Sequence, residues 1–166
     1  MKATGIVRRI DDLGRIVIPK EIRRYFRIRE GDPLEIFTDA EGEVIFKKYS
    51  PIGELSNFAS QYAEVLHKSG GLPIAIMDND HVIAASGISK REILERRITK
   101  NVEELMENRA IHIRTNDVPA INAIEGFNRK ANVVYPIIYG GDVSGAVALI
   151  EDETNEPPSE TDIKLI

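Results

Sequence analysis

"GIVRRIDDLGRIVIPKEIRR", residues 5–24, decides how the first third of the chain folds. Gly5–Ile10 and Arg15–Ile18 are short runs rich in β-branched residues, and they predict two strands. Between them Asp11, Asp12 and Gly14 supply turn chemistry. Pro19 suits the first turn of a helix, where its missing N–H would have no partner anyway. Ile22, Tyr25 and Phe26 then recur at i, i+3, i+4 and form one apolar face, with Arg23 and Arg24 directed away from it. "EGD" (30–32) ends the helix. Leu34–Thr38 and Glu43–Lys47 predict a hairpin across "DAEG".

The same stretch is arginine-rich. Residues 1–29 hold nine Lys/Arg and three Asp/Glu, a net +6, whereas the whole chain of 166 residues carries −5. A basic arm on an acidic body suggests a module for nucleic acid. The competing reading is a solvated arginine-rich face. Arg15 follows Asp11 and Asp12 by four and three residues and could simply bridge to one of them. Arg8 and Arg9 alternate along a strand and so face opposite sides.

"KKYSPIGE" (47–54) marks a boundary, because Ser50-Pro51 and Gly53 interrupt strand and helix patterns alike. It gives an N-terminal domain over 1–50, a linker over 51–54 and a C-terminal domain over 55–166. A domain of about 50 residues with neither disulfide nor metal is marginal alone. Its apolar residues outnumber what one thin sheet can hide, which predicts an obligate dimer, with strand exchange as its route.

In the second domain Leu55, Phe58, Tyr62, Val65 and Leu66 predict a helix with one apolar stripe, stopped by Ser69-Gly70-Gly71. "PIAIMD" and "HVIAASG" read as a hairpin around Asp78 and Asp80, whose carboxylates suit backbone hydrogen bonding in the turn. Ser89–Glu92 is a capping-box pattern opening a helix through Arg97, and Thr99 caps the next, "KNVEELMEN". "AIHIRT" is a strand, and two more surround Gly140-Gly141-Asp142. The pattern is an antiparallel sheet with helices on at least one side, an α+β class. Ser159–Asp162 is another capping box followed only by "IKLI", which suggests a longer helix cut short; the alternative is a short docked tail.

"TGIVRRIDDLGRIVIPKEIRRYFRIREGDPLEIF" with "GEVIFKKY" closely resembles the AbrB-type swapped-hairpin DNA-binding domain of bacterial transition-state regulators, over essentially all of residues 2–50. The chain as a whole resembles a family of sporulation regulators in which that domain precedes a GAF sensor domain. Over 55–166 the resemblance rests on element order and on the Asp78–Gly87 pattern. It implies a β-barrel formed by two interleaved chains, double-stranded DNA as partner, and DNA contacts by Arg8, Arg15, Arg23 and Arg24, supported by Lys2, Arg9 and Arg27. It also implies tetramers through helices flanking the GAF domain. The near-missing final helix puts tetramers of this chain in doubt.

Other function classes find little support. No apolar run reaches the roughly 20 residues that span a bilayer, and the N-terminus lacks the apolar core of a secretion signal. The chain has no cysteine, which excludes disulfides and cysteine–zinc sites and fits a reducing cytoplasm. His67, His81 and His112 lack metal-ligand spacing. There is no phosphate loop or nucleophile elbow, so no enzyme is expected. No cofactor is evident beyond an unidentified small-molecule ligand for the GAF-like domain. Two rival readings remain: a toxin-neutralising antitoxin sharing the swapped-hairpin fold, and a ligand sensor whose first domain only dimerises.

Overall fold

The computed structural model describes residues 4–49, 56–154 and 156–166. Lys2, Leu55 and the expected linker 51–54 lie outside the described residues. The chain divides into two compact units, Met1–Tyr49 and Ser50–Ile166. Both are mixed α/β with antiparallel sheets.

The first unit contains helix α1 (Lys20–Tyr25) and the hairpin β1 (Leu34–Thr38) and β2 (Val44–Lys48). Pro19 sits one position earlier than expected, as the N-cap, in extended geometry (φ −57°, ψ 148°). Its carbonyl accepts the first helical bond, from Arg23 N at 2.9 Å. The hairpin pairs Leu34 with Lys48 and Thr38 with Val44. β2 starts one residue later than expected because Glu43 belongs to the turn. The Asp39 carboxylate accepts from Glu41 N (3.0 Å) and Glu43 N (2.9 Å), closing the loop from inside.

The strands expected at Gly5–Ile10 and Arg15–Ile18 do not form in the single chain. The turn between them does: Gly14 N donates to Asp11 O (3.0 Å), and Asp11 N to Arg15 O (3.1 Å). Beyond it the arms have no ladder partner, and a strand exists only through the neighbour that takes its backbone hydrogen bonds. The unit has no core of its own. Of residues 4–49 only Pro19 is buried, and thirteen large apolar side chains between Ile6 and Tyr49 are exposed, Val7 at 84%. The helix face has the expected spacing but no cover, with Tyr25 75% exposed and packed edge-on only against Phe26 at 4.9 Å.

The second unit is built on a five-stranded sheet. Its strands are β3 (Ile74–Met77), β4 (Val82–Ser86), β5 (His112–Ile113), β6 (Ala131–Tyr139) and β7 (Asp142–Ile150). Their order is β4-β3-β7-β6-β5, with every pair antiparallel. The Gly140-Gly141 turn joins β6 to β7 with both residues at positive φ (+60° and +93°), a conformation only glycine adopts cheaply. Asp78 closes the β3–β4 turn by accepting from Asp80 N (2.8 Å) and His81 N (2.7 Å).

Both faces of the sheet are covered. Helix α2 (Ser56–Gly70) lays Ala59, Ala63 and Leu66 on one face, with Ile74, Ile76, Val133 and Leu149 beneath. Phe58, Tyr62 and Val65 from the expected stripe instead face outward, Phe58 61% exposed and stacked on Tyr62 at 6.2 Å. Small alanines let the helix approach the sheet closely, and the large side chains are left outside. Helix α5 (Glu160–Leu165) has its expected capping box, Ser159 N to Asp162 Oδ2 at 2.8 Å and Asp162 N to Ser159 Oγ at 3.2 Å. Its Ile163 and Leu165 pack on the same cluster as α2.

The other face is covered by α3 (Lys90–Ile93), α4 (Lys100–Glu107) and the loops around Ala123–Ile124. The expected helix through Arg97 stops after one turn, with no side-chain cap from Ser89. Glu95 turns to φ +61°. Glu95 N then donates to Val82 O, and Val82 N to Arg96 O, both at 2.9 Å. The open edge of β4 thus captures this segment as a short ribbon, bridging His81 to Arg97 and burying Ile98 completely. Thr99 precedes α4 as expected, but its hydroxyl donates to Asn122 O (2.6 Å) rather than capping the helix.

Two predictions follow from this packing. A Cβ on Gly145 would overlap the Met77 carbonyl oxygen of the neighbouring strand. Gly145→Ala should therefore lower stability by about 1–3 kcal/mol in chemical denaturation. His112 Nε2 is buried without a hydrogen-bond partner, and burial holds its pKa below the usual 6.5. The unfolded chain thus takes up this proton more readily than the folded one, so stability is full above pH 6.5 and declines on acidification below it. The thermal midpoint should fall through that range, less steeply in His112→Phe.

Candidate nucleic-acid interface

The arginines singled out in the sequence occupy three short pieces of the first unit. Arg8 and Arg9 lie exposed on the first arm, Arg15 begins the second, and Arg23 and Arg24 form the last turn of α1. One Nη of Arg8 donates to its neighbour's carbonyl, Val7 O at 3.1 Å, which leaves the rest of the fork outward. Arg24 is exposed. Arg23 is half-buried, and its Nε is buried without a hydrogen-bond partner. It therefore does not simply point away from the helix's apolar face. Arg27 follows the helix at φ +51°, half-buried.

Arg15 is the most organised of the set. Its Nε donates to Asp11 Oδ2 at 2.8 Å, and its backbone N donates to Asp11 Oδ1 at 2.8 Å. Leu13 N adds a third bond to the same carboxylate at 3.0 Å. Of the two aspartates the sequence offered, Asp11 holds it. This pairing does not cancel the site. It anchors one edge of the guanidinium at the tip of the turn and leaves the side chain solvent-accessible. A fork held in one orientation loses less entropy when it meets a planar anion.

Two lysines of the β1–β2 hairpin are engaged locally. Lys47 stands over the Phe37 ring at 4.5 Å, opposite Glu35 in the hairpin register. Lys48 bridges Asp32 at 3.6 Å. The histidines of the second unit form no such set among the described residues. His67 Nδ1 contacts Leu72 O at 2.7 Å, and His81 and His112 lie on different strands or turns. The outward Phe58–Tyr62–Val65 face of α2 was not foreseen. The signal for it was Ala59 and Ala63, a small-residue stripe that marks close packing as surely as leucines do.

A family model described as stage V sporulation protein T C-terminal, transcription factor, matches residues 54–166. A second, described as antidote–toxin recognition MazE, bacterial antitoxin, matches residues 7–53. Stage V sporulation protein T of Bacillus subtilis (strain 168) is 52% identical over 157 residues, 93% of this chain and 88% of that protein. The transition state regulatory protein AbrB of the same organism is 59% identical over 51 residues, 31% of this chain and 52% of that protein.

The Asp11–Arg15 turn makes a measurable claim. The Asp11 pKa lies below its usual 3.8, first because of the Arg15 backbone N–H, then the Arg15 side chain, opposed by desolvation and aided last by the Leu13 N–H. In Arg15→Ala the backbone bonds remain. An NMR titration should show the Asp11 pKa rising only part of the way back. Full recovery would mean that the turn itself depends on the guanidinium.

Proposed function

The chain belongs to the stage V sporulation protein T family, and from that premise we propose that it is a DNA-binding transcription regulator of sporulation genes. The observation that carries this reading is the first unit: outward arginines on a framework that has no core within one chain. Two such units interleaving as a swapped-hairpin barrel would cover the exposed apolar side chains and supply ladder partners to both N-terminal arms. The dimer would also set two copies of Arg8, Arg15, Arg23 and Arg24 about a two-fold axis, with Lys2, Arg9 and Arg27 in support.

Arginine suits the task. Its planar fork pairs with phosphate or reads guanine O6 and N7, and each phosphate neutralised releases counterions. With two strands and a one-and-a-half-turn helix in place of a long recognition helix, the dimer reads DNA with limited sequence specificity and some dependence on shape. The second unit acts as a GAF-like sensor and oligomerisation domain, its ligand an unidentified small molecule. The Phe58–Tyr62–Val65 face of α2 is the surface through which dimers pair into tetramers. No catalysis is assigned; the family model over 54–166 is described as a transcription factor, and AbrB is named a regulatory protein. Among the described residues no helix is long and apolar enough to cross a membrane. A cytoplasmic location is part of the DNA-binding proposal.

The antitoxin reading draws on the MazE match over 7–53. Against it stands a transcription-factor match over the whole of 54–166, where an antitoxin of this fold would carry a short extended tail.

The test is duplex binding by fluorescence anisotropy across a salt series. Four arginines per chain on phosphates give about eight contacts per dimer, hence a log–log slope near −7 as an upper value. The Arg8, Arg15, Arg23 and Arg24 alanine variant should lose most of that slope while remaining dimeric by sedimentation. Weak, flat binding by the unmodified chain would overturn the reading.

A further inference from the structure

The second unit is acidic, but nearly half of its cations fall in one short stretch. Residues 50–166 carry 11 Lys/Arg against 18 Asp/Glu, a net −7. Five of those 11 cations, Lys90, Arg91, Arg96, Arg97 and Lys100, fall in eleven consecutive residues that contain only Glu92 and Glu95 as acids, a net +3. All five are exposed.

Local structure gives these cations little to do. Arg96 is the exception, donating to Gly126 O at 2.7 Å. Lys90 and Lys100 each open a helix, the end where the helix dipole disfavours a cation. Arg91 and Arg97 form no ion pair among the described residues. Packing also directs the group outward together. Ile93, Ile98 and Val102, interleaved with the cations, are completely buried on one face of the sheet. The cations therefore crown the outer surface of one layer.

We propose that this strip is a second DNA contact, made by the regulatory unit to phosphates flanking the site held by the N-terminal arginines. The inference rests on the DNA-binding reading above. Charge complementarity favours a polyanion, and one chain carries both surfaces. Once the first unit is bound, the second meets flanking phosphate at high effective concentration, so individually weak contacts add affinity. Such contacts carry no sequence information. They lengthen the footprint and steepen the salt dependence.

The experiment compares the full chain with Arg91→Gln/Arg97→Gln/Lys100→Gln on two duplexes. One spans only the N-terminal footprint, and the other extends it by about two helical turns of about 10 bp at each end. The unmodified chain should bind the long duplex with the steeper salt slope. The triple variant should lose that difference, up to about 0.9 per cation reaching a phosphate and so about 3 per protomer, with short-duplex binding unchanged. A control with Arg91→Lys/Arg97→Lys should keep the long-duplex slope. Equal slopes for variant and unmodified chain on the long duplex would overturn the proposal. So would a change in sedimentation without a change in slope, which would assign the strip to the acidic surface of another copy. Failure of the unmodified chain to bind either duplex would instead defeat the DNA-binding reading itself.

Discussion

The constraint on which everything else depends is apolar surface in the first 49 residues that one chain cannot cover. Thirteen large apolar side chains remain exposed there, and none is fully buried. At roughly 25 cal/mol per Å² of apolar area, hiding even a few of them is worth several kcal/mol. That is a large share of the stability of any domain this size. The arms at 5–10 and 15–18 carry a second debt, since their backbone groups have no ladder partner. In the proposed dimer one event, pairing with a second chain, would settle both. DNA binding would then follow from assembly, because the arginines sit on the elements that pairing would make rigid.

The second unit solves the opposite problem. Its sheet is covered on both faces, and β6 and β7 pair from one end to the other with two bulges. The end of the sheet is tied by charge. Arg114 bonds Asn132 Oδ1 at 3.1 Å and Glu151 Oε1 at 3.4 Å, Lys130 N bonds Glu151 Oε2 at 3.0 Å, and the Arg129 guanidinium donates to the Glu151 carbonyl. This clamp joins the strand ends just before the chain leaves for α5. The second unit thus has within itself the core that the first lacks.

Much of this was legible in the sequence wherever chemistry is local. Asp39 and Gly42 in their turn, Gly140-Gly141, the Ser159 box and the Asp78 turn each need only neighbours within a few residues. What failed to read through needed tertiary knowledge. Ser89–Arg97 has helix propensity, but the open edge of β4 captured its second half. The apolar stripe of α2 is real, yet Ala59 and Ala63 face the sheet while Phe58 and Tyr62 do not, because closeness of approach outweighed side-chain size. Of the candidate site, charge asymmetry gave only a basic arm, and the individual arginines came from the resemblance to the AbrB-type domain. The lock of Arg15 onto Asp11 was one of two options, and the half-burial of Arg23 was invisible.

The most direct measurement is amide hydrogen exchange of residues 5–18 in the full chain, free of DNA at neutral pH. If two chains share one N-terminal core, amides of Val7–Ile10 and Ile16–Ile18 will be protected as strand amides, to a degree set by dimer stability. Exchange of these amides at the rate of an unstructured chain, in protein that still binds DNA, would contradict the account.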